Sequence, residues 1–237
     1  LYNISGICYK TIGKLDEAVK RFKKALAIKP DYAEVHYNLG VTLQELGQLK
    51  SAVKSYEKAL AIKPDYAIAF NNLGLTLQEL GQLEAAVKSY EKALIIKPEF
   101  ADACNNLGIT LKNLDRLDEA VTYYEKALAI KPDSAEAHNN LGNVFMDLDH
   151  IDSAVKSFES AIEIKPNYAE AHNNLGNALT SLDQLDVAKK CYDRAVTLKP
   201  DYAEAHNNLG NALINLGQLD ASIRSFEKAL SIKPDFA

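Results

Sequence analysis

The chain has 237 residues, of which 47% are hydrophobic and 25% charged, and its formal net charge is −5. These proportions are average for a folded globular protein, and Lys and Arg are spread without the basic tract typical of a nucleic-acid-binding protein. No apolar run of about 18 residues occurs, so we predict no membrane insertion. Three irregularly placed cysteines predict neither a disulfide framework nor a zinc site. They fit a reducing compartment, and cytoplasmic localisation is the expectation.

The prolines repeat with a fixed period of 34 residues, at Pro30, Pro64, Pro98, Pro132, Pro166, Pro200 and Pro234. Such a period is the signature of a solenoid built from repeated units. With the proline at position 32, the units are residues 1–32, 33–66, 67–100, 101–134, 135–168, 169–202 and 203–236. The first unit lacks two positions, Ala237 opens an eighth, and the chain begins with Leu1. We therefore expect one solenoid that is a fragment of a longer protein.

Each unit predicts two helices. Positions 3, 4, 7, 8, 10, 11 and 14 give the first helix a small or apolar packing face, and positions 17, 20, 21, 24, 27, 28 and 30 do so for the second. Ile62, at position 30, is therefore expected to pack. Gly or Asp at position 15 is expected to end the first helix. Pairs such as Asp31 and Glu34 predict an aspartate capping box at the start of the next first helix.

Leu at position 7, Gly at 8, Ala at 20, an aromatic residue at 24, Ala at 27 and Pro at 32 resemble the tetratricopeptide repeat. The resemblance implies an all-α, right-handed superhelical solenoid of antiparallel helix pairs, whose first helices line a concave groove. It also implies an interaction scaffold. Position 4, where the family often has Trp, carries His36, Phe70, Cys104, His138, His172 and His206.

The histidines at position 4 predict packing rather than metal binding. Zinc ligands lie roughly 2.0–2.1 Å from the ion, whereas equivalent residues on stacked helices are about 8–10 Å apart. No Ser or Cys has a base partner at a repeated register, and every glycine belongs to the repeat pattern. The sequence therefore predicts a non-enzyme with no catalytic residue, no metal and no cofactor.

Asparagine is the residue that the repeat alone does not explain. Each mid-helix Asn costs about 0.6 kcal/mol of helix propensity relative to Ala. Positions 5, 6 and 9 lie opposite the packing face and so face the groove. The predicted peptide-binding residues are those at position 6, Asn38, Asn72, Asn106, Asn140, Asn174 and Asn208, and at position 9, Asn143, Asn177 and Asn211.

An uncharged amide can donate to and accept from the backbone of an extended peptide. Two alternatives stay open: position 5 pairs with a neighbouring repeat or satisfies a loop carbonyl, or both rows are family consensus without a ligand. The position 6 row resembles the asparagine ladder of O-linked N-acetylglucosamine transferases. Position 9 is apolar in the first four units (Ile7, Val41, Leu75, Ile109), so we expect a more apolar N-terminal half.

The leading functional prediction is a non-catalytic scaffold that binds a protein or an extended peptide in the concave groove. One alternative is the substrate-recognition arm of a glycosyltransferase of the O-linked N-acetylglucosamine type. Another is end-to-end self-association, since the last helix should expose Ile223, Phe226 and Leu230. A basic clamp for chaperone tails is disfavoured, because positions 5 and 6 carry Asn rather than Lys and Arg.

Overall fold

The computed structural model describes residues 1–235, and over that range it is helical with no strand. The all-α fold of consecutive helix pairs is confirmed. The helices are α1 Tyr2–Thr11, α2 Leu15–Ile28, α3 Ala33–Glu45, α4 Leu49–Ile62, α5 Ala67–Glu79, α6 Leu83–Ile96, α7 Ala101–Asn113, α8 Leu117–Ile130, α9 Ala135–Asp147, α10 Ile151–Ile164, α11 Ala169–Ser181, α12 Leu185–Leu198, α13 Ala203–Asn215 and α14 Leu219–Ile232.

The chain forms two compact units, called the first and second unit from here on, while each 34-residue segment is called a repeat. The first unit is Leu1–Arg116 with α1 to α7, and the second is Leu117–Ala237 with α8 to α14. Inside each unit every helix packs on the next one along the chain. From α3 onwards, each first helix begins at position 1 of a 34-residue repeat. Among the residues that the structure describes, no helix has both the length and the apolar character needed to cross a membrane.

A glycine and an aromatic ring set the distance between the two helices of a pair. A Cβ on Gly176 would lie 2.5 Å from Cε1 of Tyr192, and one on Gly40 would lie 2.7 Å from Cε1 of Tyr56. The rings at position 24 in the first six repeats are among the most buried side chains of the structure. The glycine at position 8 is therefore required for close approach of the helices.

The turn inside each pair has the left-handed conformation that the sequence predicts. Gly13, Gly47, Gly81 and Gly217 have φ between 70° and 74°, and Asp115, Asp149 and Asp183 have φ of 58–59°. Left-handed backbone is costly for a residue with a Cβ, although Asp adopts it more readily than most. The aspartates therefore hold a less favourable turn than the glycines.

The predicted aspartate capping box is wrong. The residue before α3 is Tyr32, and neither it nor its equivalents Tyr66, Phe100, Tyr168 and Tyr202 makes a side-chain cap bond. Ser134 alone among these residues does, accepting from the Ala137 N–H at 3.3 Å. Because α3 begins at Ala33 and Tyr32 takes the N-cap position, Asp31 lies one residue too early to cap the helix. The aromatic residue instead stacks with the lysine three positions earlier, as where Lys165 Nζ lies 4.5 Å from the Tyr168 ring centroid.

Two further packing predictions need revision. Ile62 is 39% exposed rather than packed, and Ile28, Ile130 and Ile164, at the same position of their repeats, are exposed too. In α14, Ile223 and Leu230 are exposed as expected. Phe226 is only half-buried rather than fully open, because its ring packs on Gly210.

Replacing Gly176 by Ala should destabilise the chain by about 1–3 kcal/mol, because the new methyl group overlaps the Tyr192 ring. Urea unfolding followed by circular dichroism measures this free energy. A double-mutant cycle with Tyr192→Leu is the control, because the cost of the alanine should shrink once the ring is gone. An equal cost in both backgrounds would show that the ring does not set the spacing.

The buried tyrosines should make the fold sensitive to alkali. Burial raises the pKa of Tyr56 and of Tyr90 far above the usual value, whereas in the unfolded chain tyrosine titrates near pH 10. Their full stabilisation is present below pH 10. It is lost as pH rises further, because the unfolded state then releases protons that the folded state keeps.

The free energy of unfolding should therefore fall between about pH 10 and pH 11.5. Tyr56→Phe combined with Tyr90→Phe should flatten this fall. Phe22 and Phe158 occupy the same position in their own repeats and are fully buried, so the ring without a hydroxyl fits the site. Urea midpoints measured across this pH range test the prediction, and identical slopes for the variant and the wild type would contradict it.

Candidate functional site

The asparagines of neighbouring repeats form hydrogen bonds with one another. In the first unit, Asn38 Nδ2 donates to Asn3 Oδ1 at 3.2 Å and Asn106 Nδ2 donates to Asn71 Oδ1 at 3.1 Å. Asn72 follows the same rule but donates to the Tyr37 hydroxyl at 3.1 Å, because position 5 is tyrosine there. Each bond joins position 6 of one repeat to position 5 of the repeat before it.

The second unit repeats this geometry. Asn174 Nδ2 donates to Asn139 Oδ1, and Asn208 Nδ2 donates to Asn173 Oδ1, both at 3.1 Å. Asn139 and Asn173 are buried, while Asn174 and Asn208 are half-buried. Pairing with a neighbouring repeat, one of the alternatives for position 5, therefore describes these residues. Asn140 occupies the same register and is also half-buried.

Asn173 is the most enclosed of these amides. It is fully buried, and its Nδ2 has no hydrogen-bond partner within the part of the chain that the structure describes. Burial raises the pKa of the nearby Tyr202 hydroxyl to about 12, and the Asn173 amide offsets only a small part of that rise. Three position 5 amides, those of Asn71, Asn139 and Asn173, thus lie buried between repeats rather than in a solvent-facing row.

Position 9 differs between the predicted residues. Asn177 Oδ1 accepts from the Tyr192 hydroxyl at 2.8 Å and from Asn208 Nδ2 at 3.1 Å. Asn211 is exposed and Asn143 is half-buried. Within the described residues, neither Asn143 nor Asn211 has a side-chain hydrogen bond.

A pocket of about 180 Å³ brings three of the predicted residues together in the second unit. It is lined by Asn177, Asn208, Asn211, Thr180, Tyr192, Ala212 and Asn215. The prediction missed Thr180, Tyr192 and Asn215. Thr180 and Asn215 stand at positions 12 and 13, on the same side of the first helix as position 9, so helix periodicity could have found them. We call the pocket surface formed by Asn177, Asn208, Asn211 and Asn215 the amide face.

The hydrogen bonds fix which end of each amide points into the pocket. Asn177 Oδ1 is occupied by two donors, so its Nδ2 group is left to face outward. Asn208 Nδ2 donates to both Asn173 and Asn177, so its Oδ1 is left as an acceptor. The pocket therefore offers a donor and an acceptor on adjacent repeats, which matches the C=O and N–H groups of a peptide backbone.

The equivalent side chains of the first unit bind each other. The Tyr56 hydroxyl donates to Gln44 Oε1 at 3.0 Å, and Gln44 Nε2 donates to Glu79 at 2.8 Å. Lys10 and Glu45 form an ion pair at 3.0 Å. Asn38, Asn72 and Asn106 thus lie beside polar groups that already have partners. At position 9, Val41, Leu75 and Ile109 are half-buried and Ile7 is exposed.

The histidines at position 4 bind backbone carbonyl groups. Nε2 of each histidine lies 2.8–3.1 Å from the carbonyl oxygen of the preceding proline, in the pairs His36–Pro30, His138–Pro132, His172–Pro166 and His206–Pro200. Nε2 must carry a proton to donate to this oxygen. Over the described residues, no group of three or more His, Cys, Asp or Glu side chains could hold a metal ion.

Sequence comparison identifies the repeat. Three family models match: a TPR repeat model at residues 9–47, 114–149, 142–183 and 176–217, a tetratricopeptide repeat model at 31–99, and another at 203–236. The chain belongs to the tetratricopeptide repeat family. No curated protein matches it.

Solved structures of tetratricopeptide repeat proteins are similar to the chain. YrrB, described as a TPR protein with an unusual peptide-binding site, is 26% identical with a TM-score of 0.64, and the match covers 78% of this chain and 95% of YrrB. MamA is also 26% identical with a TM-score of 0.64, over 68% of this chain and 95% of MamA. PilF of Pseudomonas aeruginosa shares the fold, with a TM-score of 0.75 at 21% identity over 86% of this chain and 92% of its own.

Replacing Asn174 by Ala should destabilise the chain by about 1–2 kcal/mol, because Asn139 Oδ1 is left buried without its donor. The alanine recovers part of the loss through its better helix propensity. Asn211→Ala is the matched control, since Asn211 is exposed, and it should change the free energy of unfolding by less than about 0.5 kcal/mol. Urea unfolding measures both, and equal effects would show that the bond between repeats contributes nothing.

Proposed function

We propose that this chain is a non-catalytic scaffold that binds an extended peptide through its amide face. As a tetratricopeptide repeat protein it is a protein-interaction scaffold. The pocket of the second unit that the amide face lines is the observation that supports peptide binding. Four asparagines line it, and the bonds within the protein leave Asn177 Nδ2 and Asn208 Oδ1 directed outward.

This arrangement favours recognition of backbone over recognition of side chains. A backbone peptide group carries one donor and one acceptor, and the pocket has the complementary pair. The pocket is small, at about 180 Å³, so it suits a peptide group rather than a large apolar anchor. An uncharged amide is also cheaper to desolvate than a charged side chain when the peptide covers it.

The cross-repeat bonds help rather than hinder this function. Asn208 is held at both Asn173 and Asn177, so its carbonyl group is fixed before a ligand arrives. Fixing a side chain in advance lowers the entropy that binding must remove. The hydrogen bonds between repeats then offset part of the helix propensity that each asparagine costs. Peptide binding gives a functional reason for the rest of that cost. YrrB supports the proposal as a similar structure with a peptide-binding site.

Asn177→Asp tests the proposal, because it replaces the outward Nδ2 donor by a carboxylate oxygen and keeps the acceptor that Tyr192 uses. Peptides are first selected on the wild-type chain from a phage-displayed library of random ten-residue peptides. Their affinities are then measured by fluorescence anisotropy. The variant should bind at least about tenfold more weakly, since a donor to a peptide carbonyl is lost and a repulsive oxygen takes its place.

Asn167→Asp is the matched control. Asn167 is exposed in the loop before α11, outside the pocket, and its replacement changes the charge by the same amount. This variant should bind the selected peptides like the wild type. If Asn177→Asp binds them as tightly as Asn167→Asp does, the amide face is not the peptide site.

A further inference from the structure

A second cleft lies on the other side of the first helices, within the first unit. It has a volume of about 590 Å³ and lies between α2 and α4, beside the start of α3. Leu26, Leu39 and Ile62 give it an apolar surface, and Lys23, Lys54 and Lys58 stand along it. We call it the basic cleft. A volume of this size is in the range of sites that hold a ligand.

The lysines of the basic cleft have no acidic partner. Lys23, Lys54 and Lys58 are all exposed, and no ion pair in the described residues involves them. No Asp or Glu lines the cleft. Lys54 and Lys58 are four residues apart on α4, so they stand about 6 Å apart along one wall. Lys23 extends from α2 on the opposite wall.

Two polar atoms of the cleft surface, the Pro30 carbonyl oxygen and Ser55 Oγ, already have partners inside the protein. The Pro30 carbonyl oxygen is bonded to His36 Nε2 at 2.8 Å, and Ser55 Oγ donates to the Ser51 carbonyl at 3.0 Å. A ligand can therefore gain apolar contact with the surface and polar contact with the three lysine ammonium groups. These two gains together require a ligand that is both apolar and anionic.

The same cleft in other repeats has features that this one lacks. Position 25 carries Lys23 in the first repeat, which is the only basic residue there. In the other six repeats this position is acidic, with Glu57, Glu91, Glu125, Glu159, Asp193 and Glu227. In the corresponding cleft of the second unit, of about 320 Å³, Asp193 is present and pairs with Lys189 at 2.9 Å. At position 4 of the third repeat, residues 67–100, Phe70 stands in place of the smaller His36 ring. Lys92 Nζ lies 5.5 Å from the Phe70 ring centroid.

We infer that the basic cleft is a second docking site, which takes an acidic peptide segment whose apolar side chains enter the cleft while its carboxylates meet Lys23, Lys54 and Lys58. The charges stand on both walls, which suits a chain with several spaced carboxylates better than an amphiphile with a single head group. This site is separate from the amide face in both position and chemistry. It gives the scaffold a way to hold two segments at once.

Three labelled eight-residue peptides serve as probes. The first alternates Asp or Glu with Leu, the second replaces every carboxylate by its amide, and the third replaces every Leu by Ala. Fluorescence anisotropy at low salt should detect binding of the first peptide only, and added salt should weaken that binding through screening. Equal binding of the amide peptide or of the alanine peptide would overturn the inference.

Two variants, each introducing a residue that another repeat of this chain has at the same position, locate the site. Lys23→Glu restores the acidic residue of the other repeats, and His36→Phe copies Phe70, so both changes are compatible with the fold. Lys23→Glu should weaken binding of the acidic peptide by at least about tenfold, because it replaces an attractive charge by a repulsive one. His36→Phe should also weaken it, because the larger ring fills part of the cleft. Lys50→Glu is the control, because Lys50 is exposed on α4 outside the cleft and changes the net charge equally. Equal losses for Lys23→Glu and Lys50→Glu would reduce the effect to net charge and overturn the site.

Two further measurements separate the alternatives. Asn177→Asp should leave binding of the acidic peptide unchanged, because Asn177 belongs to the amide face. A tenfold loss in that variant would place the peptide at the amide face and overturn the inference. Sedimentation with phosphatidylglycerol vesicles tests a lipid ligand instead. Binding to vesicles that depends on Lys23, without binding of the acidic peptide, would overturn the peptide assignment.

Discussion

The contact between the glycine at position 8 and the aromatic ring at position 24 holds the two helices of each pair together. The missing Cβ lets a tyrosine or phenylalanine ring lie against the first-helix backbone, where any other residue would overlap it, as Gly74 and Tyr90 illustrate. Close-packed interiors tolerate such added volume poorly. Once this contact fixes the pair, the two sides of the first helix are defined. One side faces the second helices and the other carries the asparagines.

The asparagines then join one pair to the next. A hydrogen bond from position 6 to position 5 recurs within each unit, and in the second unit it also fixes the direction of the groups that remain free. Because the same amide both links repeats and faces the pocket, its effect on stability and its effect on binding are coupled. Asn177 is better suited than Asn174 to separate them, since its oxygen can be kept while its outward nitrogen is changed.

The two sides of the first helices have different chemistry for the same geometric reason. In the second unit, positions 6, 9 and 13 bring Asn208, Asn177, Asn211 and Asn215 to one pocket, while positions 4 and 7 line apolar clefts between successive second helices. A change at one position in one repeat, as from an acidic residue to Lys23, alters a single cleft without disturbing its neighbours. Repeats that contact only their neighbours allow such local differences.

Much of this could be predicted from the sequence, because period and residue size act locally. The spacing of the prolines gave the helix pairs, and Gly or Asp at position 15 gave the turns. The aspartate cap was wrong because a shift of one residue along the chain decides whether a side chain can reach the helix end. Packing of Ile62 was wrong because helix periodicity shows the direction of a side chain but not how much of it the neighbouring helices cover.

The sequence by itself determined the family, the fold class and the side of the helix on which the asparagines stand, since these depend on spacing along one chain. Only the tertiary structure decided which amides are buried between repeats, which end of Asn177 and Asn208 faces outward, and that Lys23 shares a cleft with Lys54 and Lys58. Those features depend on distances of a few ångströms between residues some 30 positions apart in the sequence. Such distances are fixed by helix packing and not by local propensity.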